Sequence, residues 1–392
     1  MKTLWSTVLF ISVFLQLNAQ QPEQYVLATK HSIDSKILQE NREFWVHVPE
    51  VTETYSKFPV VYLFDAAHNF TLTKGVLENL QRSEVLPPVI LVGILNKGFD
   101  REYNLSPSDI KVDYMKTGGG EKFLSFLKNE LTVYIEENFP ATSHRSVIGH
   151  SIGALFNLFA LNEAPELFHN YLNISPSLWW EKGAYADKIK REIAQKIFSS
   201  EKRVFMTMAN EAAVNGPNGK LMNEKYIELS DYFNGLRLHN LNVKRKNLYE
   251  DNHITAVTRA TYFGLSYLFE DWNTDSFYEQ GDFDGLKEKL NQLSVKYGLE
   301  VPPSYAVVNI GRSAHNKGEY DLAIKIYQYG LKYYPEGLQM NAFLGDALDG
   351  KGDLKNAKET FEKTLVIAQR TDSPMISWLE GRLASVNQKI KK

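Results

Sequence analysis

Two short runs, PVVYLFD (59–65) and VILVGIL (89–95), are apolar at nearly every position. A strand with one face in water alternates apolar and polar side chains, whereas a strand apolar throughout must be covered on both faces. Such strands belong in sheets with helices above and below, which confines the chain to a few α/β architectures. The neighbouring segments agree. EQYVLATK (23–30) and EFWVHV (43–48) alternate and read as half-exposed edge strands. GEKFLSFLKNELTVYIEENF (120–139), opened by Gly118 to Gly120, has the period of an amphipathic helix. SVIG (146–149) reads as a short strand and ALFNLFALNEA (154–164) as a helix. NYLNIS (170–175), RVFMTMA (203–209) and VKRKNLY (243–249) follow as strands, with helices between and after them. Strands alternating with helices predict an α/β sandwich around a mainly parallel sheet.

The join between SVIG and its helix reads VIGHSIGAL (147–155), with Ser151 between two glycines. Gly-x-Ser-x-Gly alone is a weak signal. Between a strand and a helix it gains a mechanical meaning. In the α/β-hydrolase fold the nucleophilic serine sits on a sharp strand-to-helix turn, where glycines let the helix cross the strand and the backbone pass close to the nucleophile. On this reading Ser151 is the nucleophile, and Gly149 and Gly153 are both sterically required. The alternative is a serine in an ordinary turn, and the flanking strand and helix favour the nucleophile.

That fold places its residues in the chain order serine, acid, histidine. Four histidines follow Ser151. His169 precedes the next strand, His239 ends a helix before the last strand, and His315 lies in the C-terminal third. His253, in YEDNHITAV directly after VKRKNLY, stands where the fold places its general base. Glu211 follows RVFMTMA at the C-terminal edge of the sheet, where a carboxylate can orient the imidazole. Glu250 and Asp251 remain alternatives, although they lie close to His253 in sequence. A developing oxyanion needs two backbone N–H groups. Ile152, directly after the nucleophile, supplies one. The second is expected in DAAHNF, from Ala66 or Ala67; His68 is assigned no chemistry.

Composition narrows the chemistry further. The 392 residues contain no cysteine, which removes disulfides, thiolate nucleophiles, cysteine zinc sites and lipidated-cysteine anchors. A net charge of −3 gives no electrostatic reason to expect nucleic acid or an anionic membrane as partner. No histidine–carboxylate cluster suggests a metal, and serine chemistry needs no cofactor. The N-terminus, MKTLWSTVLFISVFLQLNAQQPEQ, has Lys2 before an apolar stretch from Val8 to Leu17 and a small residue, Ala19, at a plausible cleavage point. Residues 1–19 therefore read as a signal peptide, too short in apolar length to span a membrane, and predict an exported bacterial protein, periplasmic or secreted.

The C-terminal third changes character. KGEYDLAIKIYQYGLKYYP (317–335) aligns with KGDLKNAKETFEKTLVIAQ (351–369) at an offset of 34 residues. Gly311 then matches Gly345, Gly318 matches Gly352, Ala323 matches Ala357 and Tyr327 matches Phe361. A 34-residue period with small residues at these places is similar to tetratricopeptide repeats. The small residues let paired helices approach, and the aromatic fills the gap between neighbouring pairs. PMISWLEGRLASVNQKIK (374–391) is expected to cap the array. The organisation predicted is a signal peptide over 1–19, an α/β sandwich over 23–275, a helical linker over 276–301 and an all-α repeat domain over 302–392.

Four further stretches carry a family resemblance: PVVYLFDAAHNF (59–70), DREYNLSPS (100–108), GGGEKFLSFLKNEL (118–131) and NISPSLWW (173–180). Together with GHSIG they make residues 25–272 resemble the esterase branch of the α/β-hydrolases, which includes siderophore esterases of the enterobactin type and several carbohydrate esterases. The chain departs from that pattern at Ala66, where glycine is usual. The resemblance implies Ser151 as nucleophile and His253 as base, and places Arg101 and the segment from Ser177 through Trp179 to Trp180 near the substrate. Arg101 is equally suited to a structural salt bridge, and core packing is favoured for Trp179 and Trp180. Because some siderophore esterases work with a Ser–His dyad, the resemblance leaves the need for Glu211 open. The function expected is a serine esterase acting on a small-molecule or glycan ester, with the repeats available to a protein partner. The alternative is a catalytically weak binding protein built on the same scaffold.

Overall fold

A computed structural model describes residues 26–50, 55–96, 100–111, 115–236 and 239–392; the expected signal peptide lies outside them. The strands β1 (Thr29–Ser35), β2 (Glu40–His47), β3 (Phe58–Leu63), β4 (Ile90–Ile94), β5 (Ala141–His150), β6 (Asn170–Ile174), β7 (Lys202–Ala209) and β8 (Leu241–Leu248) form one sheet. Their order is β1-β2-β4-β3-β5-β6-β7-β8. β1 and β2 run antiparallel at one edge, and the pairings from β4 through β3 to β8 are parallel. Every residue of β3, β4, β6 and β7 is buried; β3 and β4 are apolar or glycine throughout, whereas β6 buries Asn170 and Asn173 and β7 opens on buried Lys202 and Arg203.

Three strands differ from the sequence expectation. The first lies at 29–35 rather than 23–30, because the polar stretch TKHSIDS is held by backbone pairing to β2 (Thr29↔Val46 to Ser35↔Glu40) and not by an apolar face. β2 is not an edge strand, since β4 pairs along its other side. SVIG is also only the end of β5, whose first half, ATSHR, is a mixed polar sequence.

Helices cover both faces. One face carries α1 (Ala66–Arg82) and, further along the chain, α8 (Ala256–Leu268). The other lies beneath α2 (Asp100–Leu105), α3 (Gly120–Phe126), α4 (Thr132–Asn138), α5 (Ile152–Glu163), α6 (Ala184–Ile193) and α7 (Ala212–Leu236). A π-helical turn, Leu127–Leu131, joins α3 to α4 within the single helix expected over 120–139. Alternate residues of one strand feed the two cores: Val61 and Leu63 face α1 and α8, while Val60 and Tyr62 face the others.

The segment 276–301 folds as α9 (Asp275–Gln280) and α10 (Phe283–Tyr297). Tyr297 ends α10 against the sheet: its ring lies 4.4 Å from that of His144 in β5, and its hydroxyl donates to Asp271 Oδ1 at 2.9 Å. The repeats follow as α11 (Val307–Asn316), α12 (Tyr320–Leu331), α13 (Leu338–Lys351), α14 (Leu354–Arg370) and α15 (Ile376–Ile390). A Cβ on Gly311 would meet the Tyr327 ring at 2.4 Å, and one on Gly345 would meet the Phe361 ring at 2.7 Å. The 34-residue period is thus a repeated glycine-to-aromatic contact. The aromatic packs on the glycine of its own helix pair rather than chiefly between pairs. α15 covers the open end of the array through Trp378 against Phe361 and through Arg382 and Lys389 on Asp346 and Asp349. Among the described residues no helix is long and apolar enough to cross a membrane.

Candidate active site

Three adjacent strands, β3, β5 and β6, are each followed by a non-glycine residue with positive φ: Asp65 (56°), Ser151 (59°) and Ser175 (44°). Such conformations cost about 1–3 kcal/mol each and persist where the surroundings over-determine them. At Ser151 they do. Its N–H donates to Ile174 O at 2.9 Å, and its carbonyl accepts from Ala154, Leu155 and Ser177, each at 3.1 Å. The turn is therefore clamped between β6 and the first turn of α5, a helix buried from Ile152 to Asn162.

The two flanking glycines are not equivalent. A Cβ on Gly149 would sit 2.3 Å from the Gly153 carbonyl oxygen, so that position admits no side chain. A Cβ on Gly153 would find its nearest neighbour, Phe64, at an ordinary 3.5 Å. The expectation that both glycines are sterically required holds for Gly149 alone.

Ser151 and His253 open onto one cleft of about 170 Å³. Of the expected site residues, Ile152, Ser177, Trp179 and Arg101 also line it, joined by Glu102, Met115, Trp180 and Met222. Ser151 Oγ lies 3.2 Å from Ser177 Oγ, and among the described residues its side chain has no hydrogen bond to His253. Catalytic hydrogen bonds often tighten only when substrate binds. Ala66 is buried and Ala67 exposed in the first turn of α1, beside the cleft but not lining it.

His253 sits on the β8–α8 loop. Asn252 Oδ1 accepts from the N–H groups of Ile254 and Thr255, and Asp251 O accepts from Asn210 N at 2.9 Å. The second bond draws the loop towards the end of β7, where Glu211 is fully buried. His253 Nδ1 lies 2.8 Å from Glu211 Oε2 and 2.9 Å from Oε1. Glu250 and Asp251, the other candidate acids, are instead paired with Arg259 at 2.7 and 2.9 Å.

Arg101 combines the two roles open to it. It borders the cleft and also holds Asp65 through two hydrogen bonds of 2.6 and 2.7 Å, while Asn96 gives Asp65 a third. The Asp65 carboxylate makes no cap to the start of α1, so the ion pair replaces capping in fixing this left-handed residue. Of the two tryptophans, Trp180 is core, with Nε1 donating to Ser108 Oγ at 2.9 Å, whereas Trp179 is only half-buried. Sequence reasoning gave no part to Asp65 or His150. Both stand in stretches singled out as motifs, but their partners lie elsewhere in the chain.

Comparisons with known proteins bear on this arrangement. A family model described as "Putative esterase" matches residues 35–220, and a tetratricopeptide repeat model matches 338–367. An uncharacterized protein of Bacillus subtilis, YbbA, is 32% identical over 177 residues, covering 44% of this chain and 69% of that protein. The chain belongs to this esterase family. The siderophore esterases are among its relatives: the ferri-bacillibactin esterase BesA of B. subtilis is 29% identical over 163 residues. That match covers 36% of this esterase and 56% of BesA, just over half of the relative's length. Among solved structures, an IroE-like serine hydrolase from Shewanella oneidensis superposes with a TM-score of 0.65 at 24% identity. It covers 79% of this esterase and 98% of the Shewanella chain, and shows a shared fold. By family the esterase is an ester hydrolase, with an α/β-hydrolase sheet followed by tetratricopeptide repeats.

Proposed function

We propose that this esterase works through Ser151 as nucleophile, His253 as general base and acid, and Glu211 as the carboxylate that orients the imidazole. The observation that carries the reading is the pair His253 Nδ1–Glu211 Oε2, 2.8 Å apart, with the acid fully buried and His253 on the same cleft as Ser151. A carboxylate on Nδ1 fixes the tautomer that leaves Nε2 free to accept a proton. Ser151 Oγ turns from Ser177 to attack the ester carbonyl while its proton passes to His253 Nε2. The Ile152 N–H, with that of Ala66 or Ala67, receives the oxyanion. Collapse expels the alcohol, which takes the proton from His253, and water releases the acyl group by the same steps reversed.

For the substrate we infer a siderophore-type lactone. This rests on the relationship to a ferri-bacillibactin esterase, with carbohydrate and simple acyl esters as the alternatives that assay separates. The N-terminal segment supports an exported, periplasmic or secreted enzyme. The test compares the wild type with Ser151→Ala on p-nitrophenyl acetate, on a catecholate trilactone and on acetylated xylan. Loss of turnover in the variant supports the reading, and equal rates in the two proteins overturn it. Preference for the trilactone supports the siderophore assignment, and preference for xylan replaces it.

A further inference from the structure

The side chain between Gly149 and Ser151 has no part in the reaction above, yet its contacts are specific. His150 Nε2 lies 2.8 Å from the backbone oxygen of His253, and the two imidazole rings are 4.4 Å apart at 42°. A carbonyl oxygen only accepts, so His150 Nε2 carries the hydrogen and donates it. The backbone oxygen of His150 in turn accepts from Arg101 at 3.4 Å, and Arg101 is held by Asp65. These contacts tie together the turns after β3 and β5 and the loop after β8. β6 and β7 lie between β5 and β8, so no direct strand pairing joins the turn that carries Ser151 to the loop that carries His253.

The geometry points to His150 as a positioning residue: it donates to the His253 carbonyl and lies against the His253 ring, and so sets the general base relative to the serine that follows it in the chain. The inference rests on the Ser151–His253 reading above. The charged and titratable groups facing His150 are His253, Asp65 and Arg101. Burial, and then the neighbouring His253, push the His150 imidazole down to about 4. Near neutral pH it is therefore a fixed neutral donor. It adds no second positive charge beside the imidazolium that forms on His253 during attack.

Two pairs of variants test this. His150→Phe keeps a ring and removes the donor, while His150→Gln places an N–H close to the position of Nε2. His150→Asn, whose amide is too short to reach the carbonyl, repeats the comparison with Gln should the Phe protein not fold. The readouts are kcat and KM on p-nitrophenyl acetate, the rate of Ser151 labelling by a fluorophosphonate, and the thermal midpoint. Displacing a catalytic group by about 1 Å costs about a hundredfold, so Phe and Asn are expected to lower kcat and labelling by about ten- to a hundredfold. KM stays within about twofold, and Gln recovers most of the rate. Wild-type rates in Phe and Asn, or equal impairment in Gln and Asn, overturn the positioning role while leaving the esterase reading intact. A wild-type protein that fluorophosphonate does not label at Ser151 overturns the esterase reading itself, and the inference with it.

Discussion

Arg101 grips Asp65 in a two-pronged ion pair, Nε to Oδ1 at 2.6 Å and an Nη to Oδ2 at 2.7 Å, across the turn that leads into α1. Asp65 is 6% exposed and left-handed, and Ala66 and Ala67 follow it directly. The pair therefore fixes the backbone from which the second oxyanion donor is proposed to come.

Arg101→Lys keeps the charge and loses the fork, which a single ammonium cannot replace. The expected result is a fall in kcat of about tenfold to a hundredfold with little change in fold by circular dichroism. Arg101→Gln strands a buried carboxylate as well, and is expected to lower stability by about 2–3 kcal/mol in urea titration. A kcat in Arg101→Lys equal to the wild type would show that the turn holds its shape without the fork.

Glu211 provides a second test, because its carboxylate is buried and its partner is the proposed base. Glu211→Gln keeps the volume but offers Nδ1 an ambiguous partner, so both tautomers of His253 become available. Steady-state kinetics should show kcat reduced by about a thousandfold with KM nearly unchanged. A fall of less than about fivefold would mark the enzyme as a Ser–His dyad.

The glycines flanking Ser151 should separate cleanly. Gly149→Ala drives a methyl group into the backbone of Gly153, which has no flexible side chain to give way. A loss of about 3 kcal/mol or more, or no soluble protein, is expected. Gly153→Ala meets only ordinary contact with Phe64 and should change stability by less than about 1 kcal/mol. Chemical denaturation of the two variants side by side is the measurement.

Acid stability follows from three enclosed histidines. Burial, as the largest cause, holds His144 well below the usual imidazole value and pushes His150 and His169 to about 4. In the unfolded chain all three take up protons as pH falls through about 6.5, while in the folded protein His150 and His169 do not until about 4 and His144 is likewise held well below its usual range. Stability is therefore full above pH 6.5 and lost as pH falls towards 4, by up to about 3 kcal/mol for each of His150 and His169. Urea midpoints measured from pH 7.5 to 4.5 should fall steadily. They should fall less steeply in His144→Leu, whose ring nitrogens are buried without a hydrogen-bond partner among the described residues. A flat profile would mean that these rings gain protons in the folded state as readily as in the unfolded one.

The central sheet and the repeats were legible because their signals are local. An unbroken apolar run has one physical meaning, and so does a 34-residue recurrence of glycine and aromatic. Glu211 and His253 are singled out in the sequence by their places just after β7 and β8, which the fold's chain order marks out. β1 was misplaced because its stability comes from pairing with β2 and leaves no trace in the polar sequence TKHSIDS. The Asp65–Arg101 and His150–His253 contacts join residues 36 and 103 positions apart. No periodicity encodes such pairs, and only the assembled sheet brings them together.

The apolar cluster that begins beneath β3 at Val61 continues through Trp272, Tyr297 and Val307 to Val386 near the end of α15. A hinge needs a plane that few contacts cross, and the rings packed around Tyr297 offer none between α10 and β5. The C-terminal helices are in this sense a handle fixed to the blade. The apolar core runs unbroken from the last helix to the sheet that carries Ser151.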